Sequence, residues 1–463
     1  MQKIISNIPS TILSDEKKKI LLNAVETSEP QYSIRLNSKK FKHELNLEKV
    51  NWCKNAYYVK DKPRFSMDPL WHAGAYYVQE AGSMFLSSII EALPFENKPT
   101  HVLDLCAAPG GKTTLMADVL PEDCVIVANE MIPQRLKSLH ENIIKWGNSN
   151  IITTNNQPTA FENLPNYFDL VLVDAPCSGE GLLRRNDEAL NQWSPKLIEE
   201  CCYKQKQILS SALETLKPGG FLIYSTCTYN TTENEDNLTW LINENNCLPV
   251  DLQMILPSEI TVTETLGNKA YRFFPGITMS EGFFITVVQK QNDHSGDKHW
   301  SNKTTKIKYA ANPMKELIEF NQRSVLVEEK GMLKFYSEKV LEGLIHLDKH
   351  LKINDAARDF GTVKNNKFIP AETLGFANSI NIDESLIADL NYDDAILFLS
   401  RGNLQLTVEK RGYTFLRFNG VIVGLANILE NRLNNYYPNH WRILNVDKEK
   451  AFSISNTFNR KER

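Results

Sequence analysis

The chain has 463 residues, 42% of them hydrophobic and 23% charged, with a formal net charge of −4. That length excludes a single ordinary domain, and that composition excludes a disordered chain. The mild acidity excludes a protein that is basic all over, and eight cysteines are too sparse for a disulfide scaffold.

Residues 1–95 mix helical and extended signals and read as a small α/β domain. Asp15-Glu16-Lys17-Lys18-Lys19 opens a helix, and Tyr32–Asn37 reads as a strand. From Asp68 to Leu86 the chain is rich in aromatic and small residues, as in a lid or a packing segment. Over 96–290, strands at 101–105, 124–129, 150–154, 168–173, 219–225 and 283–289 alternate with helices near 112–119, 133–146 and 195–216. This alternation predicts βαβ units and a mostly parallel sheet covered on both faces. Lys217-Pro218-Gly219-Gly220 predicts a turn before the fifth strand. Residues 291–304 read as a polar linker. An intermediate domain follows over 305–380, with a helix at 337–346 and several short strands. The tail, 381–463, has a short helix and then strand-like runs at 404–408, 413–418 and 421–425. From Arg401 to Arg463 there are 11 Lys and Arg against 5 Asp and Glu, so this module carries about +6 on a mildly acidic protein.

No apolar run approaches the ~20 residues that cross a bilayer, and the first residues lack the long apolar region of a signal peptide. No Cys-x-x-Cys pair occurs, and Cys201 and Cys202 are adjacent, which argues against zinc. The expectation is a cytoplasmic monomer with reduced thiols, no metal and no membrane contact.

Three segments carry chemistry. Cys106-Ala107-Ala108-Pro109-Gly110-Gly111-Lys112 follows the first strand of the parallel region and opens a helix; its small residues let the backbone approach a ligand closely. A Walker A loop needs Gly where Cys106 stands, and a dinucleotide fingerprint needs Gly-x-Gly-x-x-Gly, so neither fits. Glu130, ending the second strand, is suited to accept both hydroxyls of a ribose; taken alone it is better read as a solvated acid. Together the loop and the acid point to an adenosine without phosphates, of which S-adenosyl-L-methionine is the common one. Cys177 in Asp174-Ala175-Pro176-Cys177-Ser178-Gly179 and Cys227 in Ser225-Thr226-Cys227-Thr228-Tyr229 each follow a buried-strand pattern. Ligands gather beyond the carboxyl ends of such strands, and a thiolate there is a strong nucleophile.

These blocks, with Asn129-Glu130, Glu233-Asn234-Glu235, Arg272-Phe273-Phe274-Pro275 and Glu281-Gly282-Phe283-Phe284, resemble the Sun-type family of RNA cytosine-5 methyltransferases over roughly residues 30–290. Leu399-Ser400-Arg401-Gly402, Gly424-Leu425-Ala426, Asn434–Pro438 and Arg442 resemble the PUA-like RNA-binding module of the subgroup closest to the small-subunit ribosomal RNA enzyme. The resemblance implies a Rossmann-like, S-adenosylmethionine-dependent sheet between an N-terminal substrate-orienting domain and C-terminal PUA-like β-rich modules. It implies RNA as partner, ribosomal RNA or a ribosomal subunit first, and 5-methylcytosine as product. It gives Cys227 the attack on cytosine carbon six and Cys177 the release step. Asp174 would stabilise the attacked ring in a protonated form, and also contact the cofactor with residues 106–112 and Glu130.

After the third strand the family often has an acid, and this chain has Asn155 and Asn156; Asn156 is taken as the cofactor contact, with Asn155 or neither as alternatives. Lys112 would hold a nearby acid or lower a thiol pKa, or be a surface lysine. Arg184 and Arg185 would clamp RNA phosphates or form a solvated helix face. Transfer RNA methylation is the alternative within the class, and a non-catalytic RNA-binding assembly factor the alternative outside it. In a DNA cytosine methyltransferase Cys177 would be the attacking thiol instead.

Overall fold

The computed structural model describes the chain apart from residues 61–63, 183, 185–192, 292–306, 321–323, 355–357, 407–410, 431, 447–453 and 458–463. Helix α1 (Asp15–Thr27) starts on Ser14, whose side chain caps the Lys17 amide. Strands β1 (Tyr32–Leu36), β2 (Ala56–Val59) and β3 (Tyr76–Val78) form an antiparallel sheet in the order β2-β1-β3.

The six strands expected over 96–290 are present as β4 (His101–Asp104), β5 (Val125–Asn129), β6 (Ile151–Thr154), β7 (Phe168–Asp174), β8 (Leu216–Thr226) and, after three further strands, β12 (Phe283–Lys290). Those three, β9 (Cys247–Pro249), β10 (Thr261–Thr265) and β11 (Asn268–Phe273), have no counterpart in the sequence reading. The sheet runs β10-β11-β12-β8-β7-β4-β5-β6, with β9 paired to β12. Strands β4 to β8 are parallel, and β12 lies antiparallel to β8. The order reverses at β4, which opens a crevice at the carboxyl ends of β4, β5 and β7.

The chain departs from the expected turn at Lys217–Gly220. Leu216 already pairs with Phe168, and the ladder resumes with Phe221 opposite Leu170, so these four residues are looped out within β8. Pro218 has no amide to donate and Gly219 takes a φ of +75°, so the turn chemistry produces a bulge instead of a strand boundary.

Alternate residues along each parallel strand feed two cores. Val102, Ile126, Leu170, Leu172 and Ile223 pack on one face with Trp52 and Phe85 from the N-terminal region. Leu103, Val127, Val171, Val173 and Leu222 pack on the other, against α4 (Pro195–Thr215) and α6 (Glu338–Leu347). Helices α2 (Gly111–Val119), α3 (Pro133–Trp146) and α5 (Glu235–Glu244) complete the domain. The intermediate segment thus contributes a layer of the core behind the parallel sheet, through Val340, Leu341 and Leu347.

The tail forms a four-stranded sheet, Ile387–Asp389, Gly412–Phe418, Val421–Ile428 and Leu433–Asn435, beside helix α7 (Tyr392–Leu399). Residues 404–406 of the expected 404–408 run are not strand, and 407 and 408 lie outside the described residues. So does all of the expected linker except residue 291. The tail shares one hydrophobic core with β1–β3. His72 Nδ1 meets the Tyr437 hydroxyl at 2.9 Å, and Asp68 accepts the Ile454 amide at 2.8 Å. The expected divisions at 95/96 and 380/381 therefore run through shared cores. Among the described residues no helix is long and apolar enough to cross a membrane.

Candidate active site

Parallel pairing of β7 with β8 sets Asp174 opposite Ser225, so the loops that follow lie side by side. Cys177 Sγ and Cys227 Sγ are 3.0 Å apart, both free thiols, and the Cys227 amide donates to Cys177 Sγ at 3.3 Å. The thiol of Cys177 is pushed well above the ordinary cysteine range by its hydrogen bond to Cys227, by burial and by the charge of Cys227. Cys177 therefore holds its proton in the resting site.

Cys227 and Asp174 line a cavity of about 390 Å³ together with Asp104, Cys106–Pro109, Gly111 and Lys112. Gly110 caps α2 with a φ of +108°, and a Cβ there would stand 3.1 Å from Leu139 Cδ1, so only glycine turns the loop without strain. Lys112 Nζ is 2.8 Å from Asp174 Oδ2, and Ser225 donates to Asp174 Oδ1 at 2.8 Å. Burial opposes the lysine charge, but Asp174, Asp104 and Cys227 together hold its pKa above the usual value. Lys112 is thus the partner of an acid, not a surface lysine. The Cys106 thiol is pushed up by burial and by neighbouring carboxylates, so it stays protonated and outside the chemistry.

Asp104 supplies an observation that sequence reasoning missed. Its Oδ2 accepts from Thr113 Oγ1 at 2.6 Å, while Oδ1 is buried with no hydrogen-bond partner. Burial, with Asp174 adding to it, raises its carboxyl to about 7 despite the Thr113 bond. An orphaned acceptor in a cavity lined by two carboxylates suits a ligand bearing positive charge and N–H donors, as S-adenosylmethionine does. The residues present fit that cofactor.

Two predicted contacts lie apart from this cavity's lining. Glu130 ends β5 as expected, but its carboxylate is turned onto the Ile132 amide (2.8 Å) and Arg135 (3.4 Å). Asn156 donates to Lys352 O at 3.1 Å and accepts from Lys352 N at 2.9 Å, so its side chain is spent on the intermediate segment. The Asn155 side chain donates to Glu130 O and Met131 O.

Arg184 is neither a phosphate clamp nor a solvated face. It is buried against Glu281 (2.9 Å) and donates to Ser280 O, Ser28 Oγ and Glu29 O, which ties the N-terminal region to the catalytic loops. Arg185 lies outside the described residues. Arginines among the described residues of the tail also make internal contacts. Arg417 pairs with Asp389 and Glu384, Arg411 with Glu430, and Arg401 donates to Tyr437 O.

Residues 91–289 match the family model of the 16S rRNA methyltransferase RsmB/F, residues 5–81 that of the N-terminal domain of 16S rRNA methyltransferase RsmF, and residues 385–443 that of the methyltransferase RsmF PUA domain. The ribosomal RNA small subunit methyltransferase F of Pectobacterium carotovorum subsp. carotovorum (strain PC1) is 37% identical over 277 residues, 56% of this chain and 56% of its own length. Its namesake from Escherichia coli O157:H7 is 33% identical over 301 residues, 61% of each. The chain thus spans somewhat more than half the length of the curated relatives it matches. Among solved structures, a methyltransferase homolog protein from Pyrococcus horikoshii superposes with a TM-score of 0.50 at 28% identity, covering 62% of this chain and 95% of its own. NSun6 from the same organism, solved with SFG, superposes with a TM-score of 0.52 at 20% identity, covering 63% and 99%, a likeness of fold alone.

Proposed function

Since the chain belongs to the RsmB/F methyltransferase family, we propose that it transfers a methyl group from S-adenosylmethionine to carbon five of a cytosine in small-subunit ribosomal RNA, acting in the cytoplasm. The observation that carries this reading is the pair of thiols 3.0 Å apart, of which Cys227 lines the cavity together with Asp104, Asp174 and Lys112. SFG, bound in one structural neighbour, is an analogue of the same cofactor.

When bound, S-adenosylmethionine supplies an electrophilic methyl group on a sulfonium. Asp104, the 106–112 loop and Lys112 would hold it. The Cys227 sulfur adds to carbon six of the ring, which makes carbon five nucleophilic toward the methyl group. Asp174, held in place by Lys112 and Ser225, orients the base by a hydrogen bond to the ring edge that carries the exocyclic amine. Once Cys227 is bonded, Cys177 gives its own proton to solvent; after transfer, the resulting thiolate takes the carbon-five proton, the bond from carbon six to Sγ breaks, and the Cys227 thiolate is restored. Carbon–sulfur bond formation also prepares the base for this step: once Cys227 is bonded, its charge no longer holds the Cys177 proton in place. The cytosine must leave any helical stack to reach the cavity.

Mapping 5-methylcytosine across the ribosomal and transfer RNA of a deletion strain tests the substrate. One small-subunit cytosine is expected to lose its methyl group. Loss confined to transfer RNA would move the assignment there, and no loss anywhere would sink the methyltransferase reading.

Arg184 gives a second expected result. Arg184→Met breaks this buried ion pair, which costs about 3 kcal/mol in denaturant unfolding. The salt dependence of RNA binding should stay unchanged, because the guanidinium contacts protein, not phosphate. A shallower salt slope would restore the phosphate role.

A further inference from the structure

We infer that Glu180 and Glu233 form a crossed clasp that positions the two thiols, Glu180 serving bond formation by Cys227 and Glu233 serving release by Cys177; this rests on the cysteine roles proposed above. Glu180 belongs to the loop that carries Cys177, yet its carboxylate reaches the other loop. Its Oε2 accepts from Thr228 Oγ1 at 2.7 Å and from the Tyr229 and Asn230 amides at 2.8 Å, the three residues after Cys227. Glu233 follows Cys227, yet its Oε2 accepts the Ser178 amide at 3.0 Å and its Oε1 the Ser178 hydroxyl, directly after Cys177. Each loop is therefore held by an acid from the other.

Both acids are buried, at 3% and 0% exposure, and neither lines the cavity, so they act on the thiols through the backbone. The loops are also in close backbone contact. The Gly181 amide donates to Cys227 O at 2.8 Å, and a Cβ on Gly181 would stand 2.6 Å from Gly282 O and 2.9 Å from Cys227 O. Glu233 receives further donors from Gln205 (2.7 Å) and Asn230 (2.8 Å). A buried carboxylate with this many fixed donors is a rigid node, because losing one partner strands the others.

The two acids differ in a way that chemistry can read. The donors from the Cys227 loop converge on a single oxygen of Glu180, and Trp193 Nε1 takes the other at 2.9 Å. Glutamine at 180 can keep the loop contacts with its carbonyl. Donors to Glu233 are divided over both oxygens, so glutamine must turn an amide N–H₂ against Gln205 and the Ser178 amide or against Asn230.

The test follows formation and decay of the denaturation-resistant protein–RNA adduct, using small ribosomal subunits from a deletion strain and S-adenosylmethionine. Glu233→Gln is expected to form adduct at close to the wild-type rate and to release it roughly 10-fold more slowly, so adduct accumulates although Cys177 is present. Glu180→Ala is expected to form adduct roughly 10-fold more slowly with no accumulation, and Glu180→Gln to restore most of that loss. If Glu233→Gln does not fold, Ser178→Ala removes the hydroxyl contact alone and should slow release by a smaller factor. Equal loss of formation and release in both glutamate variants, in step with their melting temperatures, would reduce the clasp to fold support and overturn the inference. Cys177→Ala run in parallel separates the two levels. Adduct in Cys177→Ala but in neither Glu233→Gln nor Ser178→Ala refutes the clasp, and no adduct in Cys177→Ala refutes the cysteine roles themselves.

Discussion

Incubated with small-subunit RNA and S-adenosylmethionine, the Cys177→Ala protein is expected to accumulate a denaturation-resistant adduct, and the Cys227→Ala protein to form none. The geometry explains why the two losses differ. The thiols lie 3.0 Å apart, and burial and the contact with Cys227 hold the Cys177 proton in place. Removing Cys177 leaves Cys227 beside Lys112 and open to the cavity, so the bond to the base still forms. Only the group that takes the carbon-five proton is lost, and turnover should fall by about 10²–10⁴-fold, the usual contribution of a positioned general base. Removing Cys227 takes away the attacking atom, and adduct and product should vanish together. The reverse pattern, adduct in Cys227→Ala alone, would make Cys177 the attacking thiol and the Thr226-Cys227 motif incidental. Methyl transfer unchanged in both variants would put the chemistry elsewhere.

The sequence was most readable where local pattern decides structure. Short β-branched apolar runs such as Leu170–Val173 favour buried strands, and Gly110 marks a turn that no other residue makes without strain. The approach of the two thiols was not readable, because it depends on the register of β7 with β8, and fifty residues separate Cys177 from Cys227. Glu180 and Glu233 stand inside segments already singled out, but the crossing of their contacts exists only once the loops lie side by side. For Arg184 the sequence left a phosphate clamp and a solvated face open, because burial cannot be seen in one sequence. The contact of Asn156 with Lys352 was equally unreadable, because the two residues are 196 positions apart. Lys217–Gly220 misled for another reason: turn residues describe the local bend, and the ladder continued past it.

Asp104→Asn should make the protein more stable above neutral pH and a poorer binder of S-adenosylmethionine. The carboxyl is fully buried, its Oδ1 lacks a partner, and its folded pKa is raised to about 7 from 3.8. An acid raised on folding favours the native state while it is protonated. Its contribution is complete below about pH 4 and is lost as pH rises through about 7. With one pKa unit equal to about 1.4 kcal/mol, the loss across that window is roughly 4 kcal/mol at most. Asparagine does not titrate, so the melting temperatures of variant and wild type should diverge from pH 4 to 8, with the variant higher at the alkaline end. Wild type gains this stability back only by binding a donor at Oδ1. The cofactor should therefore bind the variant about 10- to 100-fold more weakly, the worth of one hydrogen bond to a charged group. Calorimetric melts across pH and cofactor titration give independent readings. Parallel melting curves would mean that Asp104 is not strained in the native state. Equal affinities would mean that its free oxygen faces something other than the cofactor. Both results together would remove Asp104 from the site and leave the loop from Cys106 to Lys112 to hold the ligand alone.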